Sequence, residues 1–354
     1  MLKICTIPGD GIGPEVMDAC LCVLKRLPFD IKFISAEMGL NPYKQTGEAL
    51  PKETIKIIKE ADSCLFGAIT TPADTTNYES PLLRLRKELN LFANVRPIKT
   101  ISQKIINKNK ITNKNLNCII IRENTEGLYT GLEDEDGDKI TTKRIVSKNA
   151  CERIVKYAFK YASNKNRKKI TCVHKANVLR KSDGLFKKIF YDIAKEYNNI
   201  NTNINADDCY VDTAALLLVT APEKFDMIVT LNLYGDILSD EAAGLIGGLG
   251  FAPSGNIGDK YSIFEPVHGS APDIAGKNVA NPTAMILSSA MMFEHLGMPE
   301  IGKIINDAVQ AVYKKGNKGN EGNITVDVGG KLGTKEFGER VAAIIDKNSK
   351  KLSF

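Results

Sequence analysis

Residues 233–244 read LYGDILSDEAAG and place two aspartates, Asp236 and Asp240, four positions apart in an apolar stretch. Residues four apart lie on one face of an α-helix, so a helix here holds two like charges side by side. Such a pair costs about a few tenths of a kcal/mol even on an exposed helix. The stretch itself contains no lysine or arginine. We therefore expect a positive group from elsewhere between the two carboxylates.

The composition is that of an ordinary globular protein. A chain of 354 residues with 43% hydrophobic residues is long enough for about two domains with sizeable cores. The net charge of +6 comes from scattered lysines and short runs such as NKNRKK at 164–169, without a motif or aromatic platform for nucleic acid. No apolar run approaches the roughly 18 residues of a membrane span. We expect neither a nucleic-acid nor a membrane partner.

Cysteine usage and the N-terminus bear on the compartment. The eight cysteines lie mostly in apolar segments and show no paired CxxC spacing, which is typical of reduced core thiols. The first residues, MLKICTIPGDGIG, lack the basic region and the long apolar region of a secretory signal. Both observations predict a cytoplasmic protein.

Short apolar runs alternate with segments of helical period, which favours an α/β architecture. Residues 14–27 open with a proline suited to a first helical turn and then repeat apolar residues at helical spacing. The polar segment 101–117 predicts a surface connection, and the glycine-rich stretch 244–259 is a second candidate crossing point between domains. The predicted strands are LKICTI (2–7), SCLFGAI (63–69), CIIIR (118–122), ITCVH (170–174) and MIVTL (227–231).

A glycine turn, PGDGIGPEV at 8–16, follows the first strand, but glycines at a strand end most often only form the turn. Five further segments give it weight because of their order and spacing. They are IRENTEGLY (121–129), HKANVL (174–179), YVDTA (210–214), NLYGDILSD (232–240) and FEPVHGSAPDIAGKNVANPTAMIL (264–287). Together they resemble the β-decarboxylating dehydrogenases of the isocitrate, 3-isopropylmalate and homoisocitrate type, from the glycine turn to TVDVGG at 325–330.

This resemblance implies an α/β, isopropylmalate dehydrogenase-like two-domain fold, which is not the Rossmann fold, with the active site in the interdomain cleft. The large cofactor-binding domain is expected at 1–98 plus 249–354, and the small domain at 99–248. Family members dimerise through the small domain, so we expect a homodimer or a dimer-based tetramer. Lys175 and Asp212 should then enter the neighbour's site.

The resemblance also answers the opening question with a metal. Asp212, Asp236 and Asp240 match the family's aspartates that chelate Mg²⁺, or Mn²⁺, together with the hydroxyl and carboxylate of the substrate, and carboxylate oxygens suit such hard cations. Asp212 is thereby also a substrate contact. In the alternative interpretation, Asp240 is only a helix-cap or surface residue.

Three arginines, Arg86, Arg96 and Arg122, match the family's clamp for the carboxylate that leaves, whereas Arg84 fits a surface position. Spacing alone would not select these three. Tyr129 and Lys175 match the proton-handling residues. In the family the lysine, through a water, helps to remove the hydroxyl proton, and the tyrosine protonates the enol after CO₂ leaves. In the alternative interpretations, Lys175 is a structural residue and Tyr129 is a core residue.

The cofactor is expected to be NAD rather than NADP. NADP enzymes of the family carry Lys-Tyr after HG(S/T)AP, where this chain has Asp273 and Ile274. An aspartate can accept hydrogen bonds from the ribose hydroxyls and repels a 2′-phosphate. The alternative is a solvent-facing aspartate. The residues expected to bind the cofactor are Thr71, His268, Gly269, Ser270, Ala271, Asp273, Ile274 and Asn281.

The substrate is left open between close alternatives. In the loop between Gly67 and Arg86, the ITTP opening and Ser80 look like the homoisocitrate and isocitrate enzymes, in which the serine contacts the distal carboxylate. Leu82 and Leu83 instead match the isopropylmalate enzymes of leucine biosynthesis, whose leucines pack the isopropyl group. The whole loop slightly favours homoisocitrate, and isocitrate comes last. A non-catalytic regulatory relative is a further alternative, although every expected site position is filled.

Overall fold

The computed structural model describes residues 1–72, 78–102, 115–199, 203–316 and 324–349. Its strands alternate with helices along most of the chain, as the sequence predicts. The strands are β1 (Leu2–Gly9), β2 (Ile31–Ser35), β3 (Ser63–Ala68), β4 (Ala93–Lys99), β5 (Asn117–Glu123), β6 (Glu133–Asp136), β7 (Lys139–Thr142), β8 (Lys169–His174), β9 (Asn205–Tyr210), β10 (Met227–Thr230), β11 (Pro253–Ile257) and β12 (Ser262–Pro266).

Helices follow most of these strands along the chain and pack against them. They are α1 (Gly13–Leu24), α2 (Leu40–Thr46), α3 (Lys52–Glu60), α4 (Pro81–Glu88), α5 (Lys148–Asn164), α6 (Ser182–Asn199), α7 (Val211–Thr220), α8 (Asn232–Leu245), α9 (Thr283–His295), α10 (Pro299–Gly316) and α11 (Thr334–Ser349). Among the described residues, no helix has the length and apolar character needed to cross a membrane.

Ten strands form one mixed sheet in the order β2-β1-β3-β12-β11-β4-β5-β10-β8-β9. The pairs β12–β11, β11–β4 and β4–β5 at its centre are antiparallel, and the pairs on either side are parallel. The predicted domain boundary falls between the neighbouring strands β4 and β5, because the first six strands of this order belong to 1–98 plus 249–354 and the last four to 99–248. The division into two domains stays a prediction.

The five strands predicted from apolar runs are all present, each within two residues of its expected ends. Helix α1 ends at Leu24, three residues before the end of the predicted helical segment. Most of the polar connection predicted at 101–117 lies outside the described residues. The glycine-rich stretch 244–259 contains the end of α8, a short 3₁₀ turn and β11, which lies near the middle of the sheet.

The glycine turn needs its glycines for two close backbone approaches. Gly9 and Gly11 have φ of 74° and 56°, in the left-handed region that favours glycine. A Cβ on Gly9 would stand 1.9 Å from the carbonyl oxygen of Ala68, and one on Gly11 would stand 2.0 Å from that of Ser270. The turn is therefore held against the end of β3 and against the HGSAP segment, where Ile12 N–H donates to the Ser270 carbonyl at 2.8 Å.

Candidate active site

Three arginines converge beside the middle of the sheet. Arg96 lies on β4, Arg122 lies on β5 and Arg86 lies on the last turn of α4. They are 6%, 1% and 6% exposed, respectively. We call these three residues the arginine cluster. The structure thus brings together all three arginines predicted from the sequence, whereas Arg84 pairs with Glu88 of the same helix.

Helix α8 presents Asp236 and Asp240 to this cluster from one face, as their four-residue spacing predicts. Arg96 lies between the two carboxylates, with Nη2 3.3 Å from Asp236 and Nη1 3.2 Å from Asp240. Arg122 also pairs with Asp236. The expected positive group is therefore present, and within the chain it is an arginine. Asp240 is not a helix cap, because it lies within α8; it is exposed and pairs with Arg96.

The pKa values of the two aspartates shift in opposite directions because their partners differ. Burial raises the pKa of Asp236, but Arg122 and Arg96 outweigh it and leave the pKa below its ordinary value. Burial also raises the pKa of Asp240, and here the result stays above the ordinary value because Arg96 offsets it only in part and Asp236 adds repulsion. Asp236 is thus the more strongly held anion.

Tyr129 lies in a 3₁₀ turn, Leu128–Thr130, and its hydroxyl donates to Asp236. The guanidinium of Arg122 lies 4.9 Å from the centre of its ring. Burial and the hydrogen bond to Asp236 raise the pKa of Tyr129 above its ordinary value. The tyrosine therefore keeps its proton at neutral pH, which suits a proton donor.

Lys175 and Asp212, by contrast, pair with each other at the carboxyl ends of β8 and β9. Their side chains are 27% and 62% exposed. We call them the lysine–aspartate pair. Strand β8 is separated from β5 by β10, so the pair begins about two strand spacings, roughly 10 Å, from Arg122. In the part of the chain that the structure describes, no three His, Cys, Asp or Glu side chains form a group that could hold a metal. Asp212 is thus not gathered with Asp236 and Asp240 in one chain.

The arginine cluster holds more N–H donors than its partners among the described residues satisfy. Burial, together with the neighbouring Arg96 and Arg86, lowers the pKa of Arg122 to about 9. Arg122 Nη2 and Arg86 Nε are both buried, and neither has a hydrogen-bond partner among the described residues. Buried N–H groups without partners are costly, so a carboxylate that accepts from them would be strongly bound.

The residues expected to bind the cofactor lie mainly in the loop after β12. His268 donates from Nδ1 to the Gly269 carbonyl at 2.9 Å, while its Nε2 is buried without a partner among the described residues. Burial lowers the pKa of His268, so the ring is neutral at pH 7. Ser270 is buried and its hydroxyl meets that of Thr70. Ala271 has a φ of 36°.

The other expected cofactor residues are arranged around this loop. Ile274 is half-buried and its N–H donates to the Ala271 carbonyl at 3.1 Å, while Asp273 and Thr71 are exposed. Asn281 is buried and donates to Asp327 at 2.9 Å, which joins the ANPTA and TVDVGG segments.

The residues expected to determine substrate specificity, Ser80, Leu82 and Leu83, lie at the start of α4. Ser80 is its N-cap residue, and its side chain makes no capping hydrogen bond. Leu82 is half-buried and packs against the smaller of the two core clusters, and Leu83 is half-buried beside it. Both leucines lie within one turn of Arg86, so they border the arginine cluster. Residues 73–77 of the predicted loop lie outside the described residues.

Several polar side chains around the arginines were not predicted. Arg122 Nε donates to Asn232 at 2.9 Å, and Arg96 Nη1 donates to the Ser239 hydroxyl at 2.5 Å. Asn232 and Ser239 lie in the NLYGDILSD motif on the same helix as the two aspartates, so helical spacing could have indicated Ser239. The other missed residues lie on strands that meet only in the sheet, or directly after one of them: Asn94, Asn124, Asn256 and Glu265.

Comparison with known proteins identifies the family of the chain. The family model of the isocitrate/isopropylmalate dehydrogenases matches residues 3–341, and the chain belongs to that family. It is therefore an oxidoreductase that decarboxylates small hydroxy acids. The fold is that of the isocitrate and β-decarboxylating dehydrogenases.

Three relatives show how similar the chain is to particular members. It is 50% identical to a homoisocitrate dehydrogenase of Methanocaldococcus jannaschii, covering 99% of both chains. It is 48% identical to a 3-isopropylmalate dehydrogenase of Methanothermobacter thermautotrophicus, covering 96% of this chain and 98% of the other. The solved structure of isocitrate dehydrogenase from Methylococcus capsulatus superposes with a TM-score of 0.90 at 41% identity, covering 98% of this chain and all of the other.

Proposed function

We propose that the protein catalyses the NAD-dependent and Mg²⁺- or Mn²⁺-dependent oxidative decarboxylation of a 3-substituted (2R)-malate, with homoisocitrate as the substrate. The observation that carries this proposal is the arginine cluster, because it keeps two buried N–H groups next to Asp236 and Tyr129 that find no partner in the part of the chain that the structure describes. A malate substituted at C3 offers the carboxylate that such a cluster would bind. The alternative substrate is 3-isopropylmalate, and isocitrate is the third choice.

Each residue of the site would have a definite role. The arginines would hold the C3 carboxylate, which leaves as CO₂ and gives its bonding electrons to the enolate. Lys175, acting through a water, would take the proton of the C2 hydroxyl. Tyr129 would then donate its proton to C3, consistent with the raised pKa of its hydroxyl. NAD would accept the hydride from C2, and the metal would stabilise negative charge on the C2 oxygen.

The metal would be held by Asp236 and Asp240 of one subunit and Asp212 of another. Carboxylates are the ligands that Mg²⁺ and Mn²⁺ prefer. The first two lie on one helix face with side chains that are 32% and 52% exposed, so a ligand could reach both carboxylates. Asp212 is more exposed still, and the single chain does not gather the three. This distribution supports a site completed between subunits.

The proposed homodimer would form on α7 and α8, which lie in the predicted small domain. These two helices pack against each other and leave apolar side chains in solvent, with Leu216, Val219 and Ile237 61%, 40% and 58% exposed. Exposed apolar groups of this kind mark protein interfaces. Asp212 lies in the first turn of α7, so a partner seated on this surface would receive the lysine–aspartate pair next to its own arginine cluster.

The substrate proposal rests on the start of α4. Homoisocitrate carries a distal carboxylate, and leaving it unpaired in the site would cost several kcal/mol. The Ser80 side chain makes no capping bond, and the first turn of a helix offers free backbone N–H groups to an anion. Leu82 already packs against the core, which leaves Leu83 as the main apolar surface for an isopropyl group.

Turnover of homoisocitrate, 3-isopropylmalate and isocitrate by the purified protein tests the proposal. We expect the highest kcat/KM with homoisocitrate, and NAD favoured over NADP by at least ~100-fold because Asp273 repels a 2′-phosphate. Ser80→Ala should impair homoisocitrate turnover far more than 3-isopropylmalate turnover, and Leu83→Ala should do the reverse. Replacing Asp273 and Ile274 by Lys and Tyr should narrow the cofactor preference. An equal fold loss of turnover with both acids in Ser80→Ala would contradict the role of Ser80.

A further inference from the structure

A continuous chain of buried hydrogen bonds joins two of the three arginines. Arg86 Nη2 donates to Glu265 Oε1 at 3.3 Å, and Asn256 Nδ2 donates to the same oxygen at 2.6 Å. Asn256 Oδ1 accepts from Asn94 Nδ2 at 3.0 Å, and Asn94 Oδ1 accepts from Arg96 Nε at 2.6 Å. Asn256 is the midpoint of this chain.

The sheet makes this arrangement rigid. Asn94 and Asn256 are directly opposite each other on the antiparallel strands β4 and β11, and neither side chain is exposed. Arg96 follows Asn94 by two residues and so shares its face of the strand. Asn124, which follows β5, adds a second donor to Asn256 Oδ1 at 2.9 Å. Three segments of chain therefore fix the orientation of a single amide.

Only an amide can occupy this position with all its bonds satisfied. Towards Asn94 and Asn124 the side chain must accept, and towards Glu265 it must donate. A carboxylate would place two anionic oxygens face to face, and an apolar side chain would leave the amides of its neighbours without partners in the core. A buried polar residue is costly unless all its hydrogen bonds are formed. The Asn256 side chain therefore serves to orient its hydrogen-bond partners rather than to fill the core.

The network also decides which N–H groups of each guanidinium are free. Arg96 uses Nε for Asn94, which directs its two terminal nitrogens at Asp236, Ser239 and Asp240. Arg86 uses Nη2 for Glu265, and its Nε stays without a partner among the described residues.

We propose that Asn256 is a positioning residue that holds Arg86 and Arg96 at a fixed mutual orientation for the substrate carboxylate. This inference rests on the proposed function. Asn256 would touch neither the substrate nor the cofactor and would act through the two arginines. Its loss should therefore affect the binding of the hydroxy acid and not that of the nicotinamide cofactor.

The variant Asn256→Leu tests this, because leucine has nearly the same size and cannot form the hydrogen bonds. We expect the KM of the hydroxy acid to rise at least ~10-fold while the KM of NAD stays within about twofold. The matched control is Ser63→Ala, which removes a buried hydroxyl pair between Ser63 and Ser262 elsewhere in the same sheet. An unchanged KM for the acid, or equal changes in both KM values, would overturn the proposal.

A double-mutant cycle separates positioning from a loss of stability. Because Asn256 is proposed to act through both arginines, Asn256→Leu should lower kcat/KM by a clearly smaller factor in an Arg96→Lys background, where only the link to Arg86 remains, than in the wild-type background. Independent, multiplicative effects would argue against the proposal. Should Asn256→Leu fail to fold, Asn94→Ala removes the link next to Arg96 and enters the same cycle.

The outcome can be told apart from a failure of the proposed function. A wild-type protein that turns over none of the three acids would contradict the function and not the positioning. A crystal structure of Asn256→Leu, or of Asn94→Ala if the first does not fold, then decides the matter. A rotated or disordered Arg96 guanidinium supports the proposal, and guanidiniums of Arg86 and Arg96 left in place would exclude it.

Discussion

The arginine cluster and the lysine–aspartate pair carry the same kinds of charge in opposite surroundings. Arg122 is 1% exposed and is held by Asn232, Asp236 and the ring of Tyr129, all from its own chain. Asp212 is 62% exposed, and among the described residues its side chain pairs with Lys175. The arginine cluster thus finds its partners within its own chain, whereas the lysine–aspartate pair is exposed at the surface.

The difference has an energetic reason. Buried charges are tolerated only when hydrogen bonds and counter-charges replace water, which forces the arginines into a dense network. An exposed ion pair contributes about 0–1 kcal/mol and can exchange its partner at little cost. The lysine–aspartate pair is therefore free to separate when a second surface offers better partners, as the proposed dimer would.

Removal of divalent metal should have the largest effect. We expect EDTA to abolish turnover and Mg²⁺ or Mn²⁺ to restore it, since charge on the C2 oxygen must be stabilised in both halves of the reaction. Asp236→Asn should lower kcat by orders of magnitude in a protein that remains folded by circular dichroism. Full activity in metal-free buffer would remove the reason for assigning the three aspartates to a metal.

Mixing two inactive variants tests whether Lys175 of one subunit and Tyr129 of another form one active site. Lys175→Ala and Tyr129→Phe each remove one proton-handling group, so each homodimer should lose at least ~100-fold in kcat. After subunit exchange, a mixed dimer has one site with both groups intact, and activity should return to a fraction of the wild-type value. Exchange verified by native mass spectrometry without any recovery would show that the sites are not shared.

The packing of Arg122 on α8 can be tested by a single methyl group. A Cβ on Gly235 would stand 2.6 Å from Arg122 Cβ and 2.7 Å from its Cγ, so Gly235→Ala must displace the arginine. We expect kcat/KM to fall by about 10-fold or more and stability to fall by roughly 1–3 kcal/mol. The control is Gly244→Ala on the same helix, where the added Cβ would meet no atom of the described residues within 4 Å apart from its own helix backbone. This variant should be neutral or slightly stabilising. Matching behaviour of the two variants would contradict this packing.

The smallest expected effect is on stability and comes from Asp208, which binds the residue next to Lys175. His174, immediately before Lys175, contacts Asp208 at 3.0 Å, and Lys187 and Tyr191 also donate to this carboxylate. Burial raises the pKa of Asp208, but these hydrogen bonds outweigh it and lower the pKa below its ordinary value. A carboxylate with a depressed pKa stabilises the fold above its unfolded value of about 3.9, and this stabilisation is lost as the pH falls through the folded pKa.

Asp208→Asn should therefore lower the free energy of unfolding by roughly 1–2 kcal/mol at pH 7, and the difference should shrink below about pH 4. Urea unfolding at pH 7 and pH 3 measures both. A difference that is the same at the two pH values would mean that the charge of Asp208 is not what stabilises this region. The exposed pair Lys188–Asp192 nearby provides a control, because Asp192→Asn should leave the free energy of unfolding almost unchanged at both pH values.

Local patterns predicted much of this molecule. Runs of apolar residues identified five strands of the sheet, and a four-residue spacing identified the shared face of Asp236 and Asp240. Strands β11 and β12 escaped prediction because SGN and EP interrupt their apolar pattern, although all five residues of each strand are buried. Polar side chains in a buried strand are recognisable only through the partners that satisfy them, and those partners lie far along the chain.

The sequence by itself determined the α/β architecture, the family and the residue types that carry the chemistry, because strand and helix periodicity and short motifs are local properties. Only the tertiary structure decided that Arg96 lies between the two aspartates, that Asn256 links two arginines, and that Asp212 stands apart from Asp236 and Asp240. These facts depend on the order of strands in the sheet. That order brings side chains more than 100 residues apart into contact and separates others, and no local pattern encodes it.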